Sequence, residues 1–230
     1  MTLRSFLRRN VDEIGEPIAT YRNRPGPVFW IAAVFFWLLA PLSVIVNPNP
    51  STAYNIAFPT VMGLLLLAII VVISTEVLVV CERGLVVGSG APLANPFVIP
   101  FEKIVRGSIV PVTNAGKLLP TMDHAYRTRA VRTRPWITEG VYFVGPDPEV
   151  SRRGRHFFPV RSNIRSVDGR WIWFVGTGKD RPEEASLRIA DAAERSGMRR
   201  LARVTAAAEP REMTGNPADG PKLLPGVRST

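Results

Sequence analysis

No charged residue lies between Arg24 and Glu76. That gap constrains the chain more than any other feature in it. A bilayer core is about 30 Å thick and takes about 20 apolar residues as helix, with a range of about 17–25. Two segments reach that length: Pro27 to Val46, PVFWIAAVFFWLLAPLSVIV, and Ala57 to Ser74, AFPTVMGLLLLAIIVVIS. Between them, Asn47 to Asn55 reads NPNPSTAYN, and its Asn and Pro favour turns over helix. The expectation is a transmembrane helical hairpin over residues 27–75. A signal peptide fits poorly, because the first span is too long and no small-residue cleavage pattern follows it. The soluble alternative, a buried core hairpin, rarely goes this far without a charge. Pro41 removes one backbone hydrogen bond inside the first span.

The flanks predict the orientation. Arg4, Arg8, Arg9, Arg22 and Arg24 precede the first span, and the chain after the second is rich in arginine. Positive residues favour the cytoplasmic side. Both termini are therefore expected inside, on a protein of the cytoplasmic membrane. The single cysteine, Cys81, then sits in a reducing compartment and excludes a disulfide framework within the chain. It follows Val79-Val80 and reads as a strand residue, not a nucleophile.

Residues 1–26 form a cytoplasmic segment before the hairpin. Leu3, Phe6, Leu7, Val11 and Ile14 recur at steps of three and four, one face of a helix that stops at Gly15 and Pro17. Two readings stay open. The helix rests on the membrane with Arg4, Arg8 and Arg9 toward anionic headgroups, at about 1 kcal/mol each, or its apolar face packs on the cytoplasmic domain.

Residues 76–205 read as that domain. EVLVVCE and LVVGSG flank Arg83-Gly84 as a strand hairpin, with Gly84 free to take a positive φ. Phe97 to Phe101, Ile104 to Val112, Trp136 to Gly145 (with a bulge near Gly140), His156 to Val160 and Arg170 to Val175 read as further strands. Residues 113–135 lack a clean period and read as loop with a short helix. A helix follows, with a capping box from Asp180 to Glu183, an apolar face of Ala185, Ile189, Ala192 and Ala193, and a stop at Gly197. Met198 to Ala208 adds a turn or two. Residues 206–230, rich in Pro and Gly, are expected to be a disordered tail. Strands followed by a terminal helix give an α+β class: a two-helix transmembrane hairpin, then a cytoplasmic bent sheet or partial β-barrel closed by a C-terminal helix.

The helical hairpin, EVLVVCERGLVVGSG, the element IPFEKI, RPWITEGVYFVG and the closing WIWFVGTGKDRPEEASLRIADAAE together resemble a known family. They are similar to actinobacterial two-span membrane proteins that carry a bacterial pleckstrin-homology-like (PH-like) domain, over residues 27–196. The resemblance implies a membrane-tethered barrel or bent sheet. It implies no reaction, cofactor or ligand.

Motifs for chemistry are scarce. Gly176 to Asp180, GTGKD, lacks the phosphate-loop pattern, with Trp173 where a glycine is needed and Asp180 where Ser or Thr is needed. Two histidines do not make a metal cluster, and Asp123-His124 is the only acid/base pair to name. The arginines are the strongest remaining signal on a chain of net charge +10: Arg127, Arg129, Arg132 and Arg134, then Arg152, Arg153 and Arg155. Beside a membrane they fit anionic lipid headgroups or an acidic partner. The plain alternative is a solvated basic surface. Nucleic acid is disfavoured by the tether, although Tyr126 and Trp136 flank the first group. The expectation is a non-catalytic membrane-anchored binding or scaffold module without a cofactor. The second reading is an accessory subunit held in a larger membrane complex through its spans, with Pro41 and Gly63 as close-packing points. An enzyme using residues 113–135 is the third.

Overall fold

A computed structural model describes residues 2–23, 26–46, 51–74, 76–89, 96–128, 130–132, 137–153 and 170–227. It has mixed α+β architecture and divides into two units, residues 24–75 and the remainder. In the larger unit, β1 (Pro17–Asn23), β2 (Glu76–Cys81), β3 (Gly84–Ser89) and β4 (Phe97–Pro100) form an antiparallel four-stranded meander. Strand β1 corrects the expected boundaries. Asn23 lies opposite Glu76 in the ladder, so the helical unit is inserted between two neighbouring strands of one sheet. The β2–β3 hairpin is as expected, but Gly84 does not take a positive φ. It is needed for close approach, since a Cβ there would lie 2.7 Å from the Ile99 carbonyl oxygen.

The second sheet contains β5 (Val110–Thr113), β6 (Ala130–Arg132), β7 (Gly140–Pro146), β8 (Arg170–Gly176) and β9 (Arg211–Glu212), in the order β6-β8-β7-β5-β9. Its centre, β5-β7-β8, is antiparallel, and β6 and β9 join the edges in parallel. The strand expected over Ile104–Val112 begins only at Val110, because a 3-10 turn occupies Phe101–Lys103 and a turn follows it. Gly140 sits in regular register opposite Gly176, not in a bulge. The strand expected at 156–160 lies outside the described residues.

The sheets face each other across the main core. Leu78, Val80, Leu85 and Ile99 meet Val141, Phe143, Trp173 and Val175 there. The Trp173 indole stacks on Phe143 at 6.2 Å, meets Phe97 edge-on at 5.2 Å, and donates from Nε1 to the Pro146 carbonyl at 2.9 Å. Each outer face is covered too. Helices α1 (Leu3–Arg9) and α2 (Val11–Ile14) lay Phe6 and Ile14 on Val77, Val79, Val86 and Val98. This decides the N-terminal segment: its apolar face packs on the sheet, so an interfacial helix lying on lipid by that face is excluded.

The smaller unit holds α3 (Pro27–Val46) and α4 (Thr52–Ser74). Helix α3 is long and apolar enough to cross a membrane by length and composition. Helix α4 starts five residues before the expected Ala57, taking in part of the expected loop. A Cβ at Gly63 of α4 would lie 2.7 Å from Trp37 Nε1 of α3, so Trp37 already occupies that notch. Gly63 is therefore not the free point of close packing it was expected to be.

Short helices α5 (Leu118–Thr121) and α6 (His124–Arg127) occupy the stretch expected to be loop with a short helix, and α7 (Pro148–Ser151) follows β7. Helix α8 (Pro182–Arg195) buries Ala185, Ile189, Ala192 and Ala193, as expected. Its N-cap is Arg181, without a side-chain cap bond, so the Asp180–Glu183 capping box does not form. Gly197, at φ 84°, ends it in the left-handed region. Helix α9 (Arg199–Ala206) follows.

The expected disordered tail is instead built into the fold. Strand β9 pairs with β5, α10 (Gly220–Leu223) follows, and Met213, Leu224 and Val227 are buried on Val112, Tyr142, Val144 and Phe174. The Tyr142 hydroxyl donates to the Pro225 carbonyl at 2.8 Å, and Arg211 Nη1 donates to the carbonyls of Lys222 and Leu223. The composition is loop-like, but three apolar side chains close the outer face of the second sheet. Leu224→Ala is expected to destabilise the protein by about 2–4 kcal/mol, read by thermal unfolding of the full chain in mild detergent. Leu187→Ala, at a site 49% exposed, should stay within about 0.5 kcal/mol. A disordered tail would leave both neutral.

Candidate functional site

Arg4, Arg8 and Arg9 are exposed on α1, off the face that carries Phe6. Arg127 braces its own segment: Nε donates to the Met122 carbonyl at 2.8 Å and Nη2 to that of Pro120 at 3.2 Å. Arg132 lies on β6 opposite Phe174. Arg129, Arg134 and Arg155 lie outside the described residues. Arg152 is half-buried and bridges to Phe97 through its backbone. Arg153 forms a two-pronged ion pair with Glu13 of α2, one arm being Nε to Oε2 at 3.1 Å. It ties the N-terminal cover to the segment after α7. Arg83 does the same from the β2–β3 loop, donating from Nη2 to the carbonyls of Val11 and Asp12 at 3.0 and 2.6 Å. Arg127 and Arg153 thus direct their guanidinium hydrogens at the protein itself.

The other named residues take ordinary places. His124 is exposed at the start of α6, with Asp123 at its N-cap. GTGKD is the expected strand-to-helix turn, in which buried Thr177 donates from Oγ1 to the Asp180 carbonyl at 2.8 Å. Cys81 is fully buried on β2. Burial pushes its thiol up to about 12, with the Glu16 and Glu82 carboxylates adding to the effect.

One concave feature of the larger unit was not anticipated. A cleft of about 440 Å³ lies between β1 and α8. Thr20 and Tyr21 form one wall, and Asp180, Glu184, Arg188 and Asp191 form the other. Glu184, Arg188 and Asp191 recur at steps of four and three, a stripe beside the buried face of α8. Burial raises the Tyr21 phenol pKa; Arg188 opposes that shift, and Asp180 and Glu184 add to it. Sequence reasoning missed this site because it missed β1, although Ile18 to Tyr21 carries strand-forming Ile, Thr and Tyr. In the smaller unit, a groove of about 670 Å³ is lined by Trp30, Trp37, Pro41, Pro59, Gly63 and other apolar residues.

No protein-family model, curated protein or solved structure matches the chain. The site therefore stands on its own geometry.

Two outcomes follow from these contacts. A double-mutant cycle on Arg153→Ala and Glu13→Ala should return a coupling of about 0.5–1 kcal/mol; zero coupling would leave the pair without a role in fastening α2. For Cys81, the unfolded thiol ionises near 9 and the folded one near 12. The unfolded state therefore loses its proton first. The contribution to stability is intact below pH 9 and is lost as pH rises toward 12, at up to about 1.4 kcal/mol per pH unit. Cys81→Ala should flatten that part of the stability profile. Native protein should also resist iodoacetamide at pH 8 until denatured.

Proposed function

We propose that this protein is a non-catalytic, membrane-anchored binding module of the cytoplasmic membrane. Helices α3 and α4 both span, and both termini lie inside. The carrying observation is the insertion of the helical unit, without a charge after Arg24, between β1 and β2, whose last pair is Asn23 with Glu76. Both helices therefore leave from neighbouring strands of one sheet. Only residues 24–26 separate β1 from α3, and residue 75 alone separates α4 from β2. Three residues reach about 10 Å. A domain tethered so closely at two points is held at the bilayer surface. Arg22, Arg24 and the arginines after the second span favour the inside.

The strand order supports the PH-like reading. A four-stranded meander, β1 to β4, precedes three antiparallel strands, β5, β7 and β8, and then α8. With the short edge strands β6 and β9 set aside, that is a seven-strand pattern closed by a helix once β1 is counted from the far side of the hairpin. Among the arginines, Arg4, Arg8 and Arg9 are exposed and fit anionic headgroups best. The accessory-subunit reading draws on the apolar groove at Pro41 and Pro59, which suits a transmembrane partner.

Single-cysteine topology mapping tests the anchor, with buried Cys81 as silent background. Ser51→Cys should react with a membrane-impermeant maleimide in intact cells. Thr2→Cys and Thr214→Cys should react only after permeabilisation. Labelling of all three in intact cells, or of none, overturns the two-span arrangement.

A further inference from the structure

The cleft between β1 and α8 combines three features that each look outward. The first is a strand edge. Strand β1 ends the order β1-β2-β3-β4, so one side of its backbone has no ladder among the described residues. A Cβ on Gly178 would overlap the Arg22 carbonyl oxygen, so that carbonyl points away from β2 and the turn before α8 covers the edge there; the open stretch of the edge lies at Thr20. Residues of an antiparallel strand alternate in direction. Thr20, two positions earlier, thus turns its N–H and C=O the same way, toward the cleft it lines. Beyond β2, no backbone bond among the described residues reaches it. The second feature is Tyr21, whose ring is buried while its hydroxyl opens to the cleft without a hydrogen-bond partner among the described residues. The third is charge. Three carboxylates face one guanidinium there, on a chain of net charge +10. None of Asp180, Glu184, Arg188 and Asp191 is in an ion pair among the described residues.

We propose that this cleft receives an extended, Lys/Arg-rich juxtamembrane segment of a second membrane protein, added as a strand on the β1 edge. Backbone pairing satisfies Thr20, and alternate side chains of an added strand meet the α8 carboxylates. Charge complementarity selects a basic occupant over an acidic one. The juxtamembrane source rests on the membrane-anchored reading above: β1 runs into α3 after residues 24–26, and cytoplasmic segments beside spans carry the excess of Lys and Arg.

The first probe is the labelled peptide acetyl-(Lys-Val)4-amide, titrated by fluorescence anisotropy onto the full chain in mild detergent. Saturable binding is expected, weakened about tenfold or more by N-methylating alternate amides of the peptide, which removes strand pairing. The D180N/E184Q/D191N variant should lose a similar factor, and Tyr21→Phe about two- to fivefold. No saturable binding, unchanged binding of the N-methylated peptide, or unchanged binding by the triple variant each overturns the proposal. The second probe is a photo-crosslinking residue at Leu187, in native membranes. The captured peptide should be basic and lie within about 15–20 residues of an apolar span. A soluble or acidic capture, or none, overturns the partner class. Peptide binding in detergent does not depend on topology. Correct cysteine labelling without peptide binding therefore fails the cleft alone, and binding with wrong-sided labelling fails the membrane reading alone.

Discussion

The central strands of this protein are apolar on both faces, and almost everything else in the larger unit answers that constraint. EVLVVC and WIWFV have no polar side to turn to water. Each sheet must be covered twice. The inner faces cover each other, with Trp173 filling the space between them. The outer faces recruit the two ends of the chain: Phe6 and Ile14 from the N-terminal helices, and Met213, Leu224 and Val227 from the C-terminal segment. Arg83, Arg153 and Arg211 then fasten those covers by hydrogen bonds to the chain. Several arginines of this basic chain act as internal braces, which is why arginine count alone is a poor guide to its binding surface.

The same constraint bears on function. A sheet buried on both faces can meet a partner only at its edges or at the seam beside a helix. Strand β1 is such an edge, with α8 across a cleft. It is also the strand that leads into α3, while its neighbour β2 follows α4. The anchor and the docking edge proposed here are thus parts of one element, and a partner pulling on β1 would act on the root of the hairpin.

Much of this was legible from residue order. The uncharged gap, the β2–β3 hairpin, the buried face of α8 and its stop at Gly197 all follow from short-range patterns. Strand β1 was hidden because its partner β2 is separated from it by the whole helical unit, and its alternation is short. The tail was hidden because Pro and Gly dominate its composition, while only three side chains carry its burial. The capping box failed although its spacing was right: the Thr177 hydroxyl bonds the Asp180 carbonyl in the preceding turn, and the helix starts one residue later than that spacing implies.

By itself, the sequence determined the apolar helices, the α+β class and the inert, buried setting of Cys81. Those depend on hydrophobicity and period, which are local properties. Only the tertiary structure decided which sheet face each end of the chain covers, which arginines turn inward, and that β1 leaves an acidic cleft beside α8. Those outcomes depend on contacts between residues far apart in the chain, where a side chain's neighbours, not its type, set what it does.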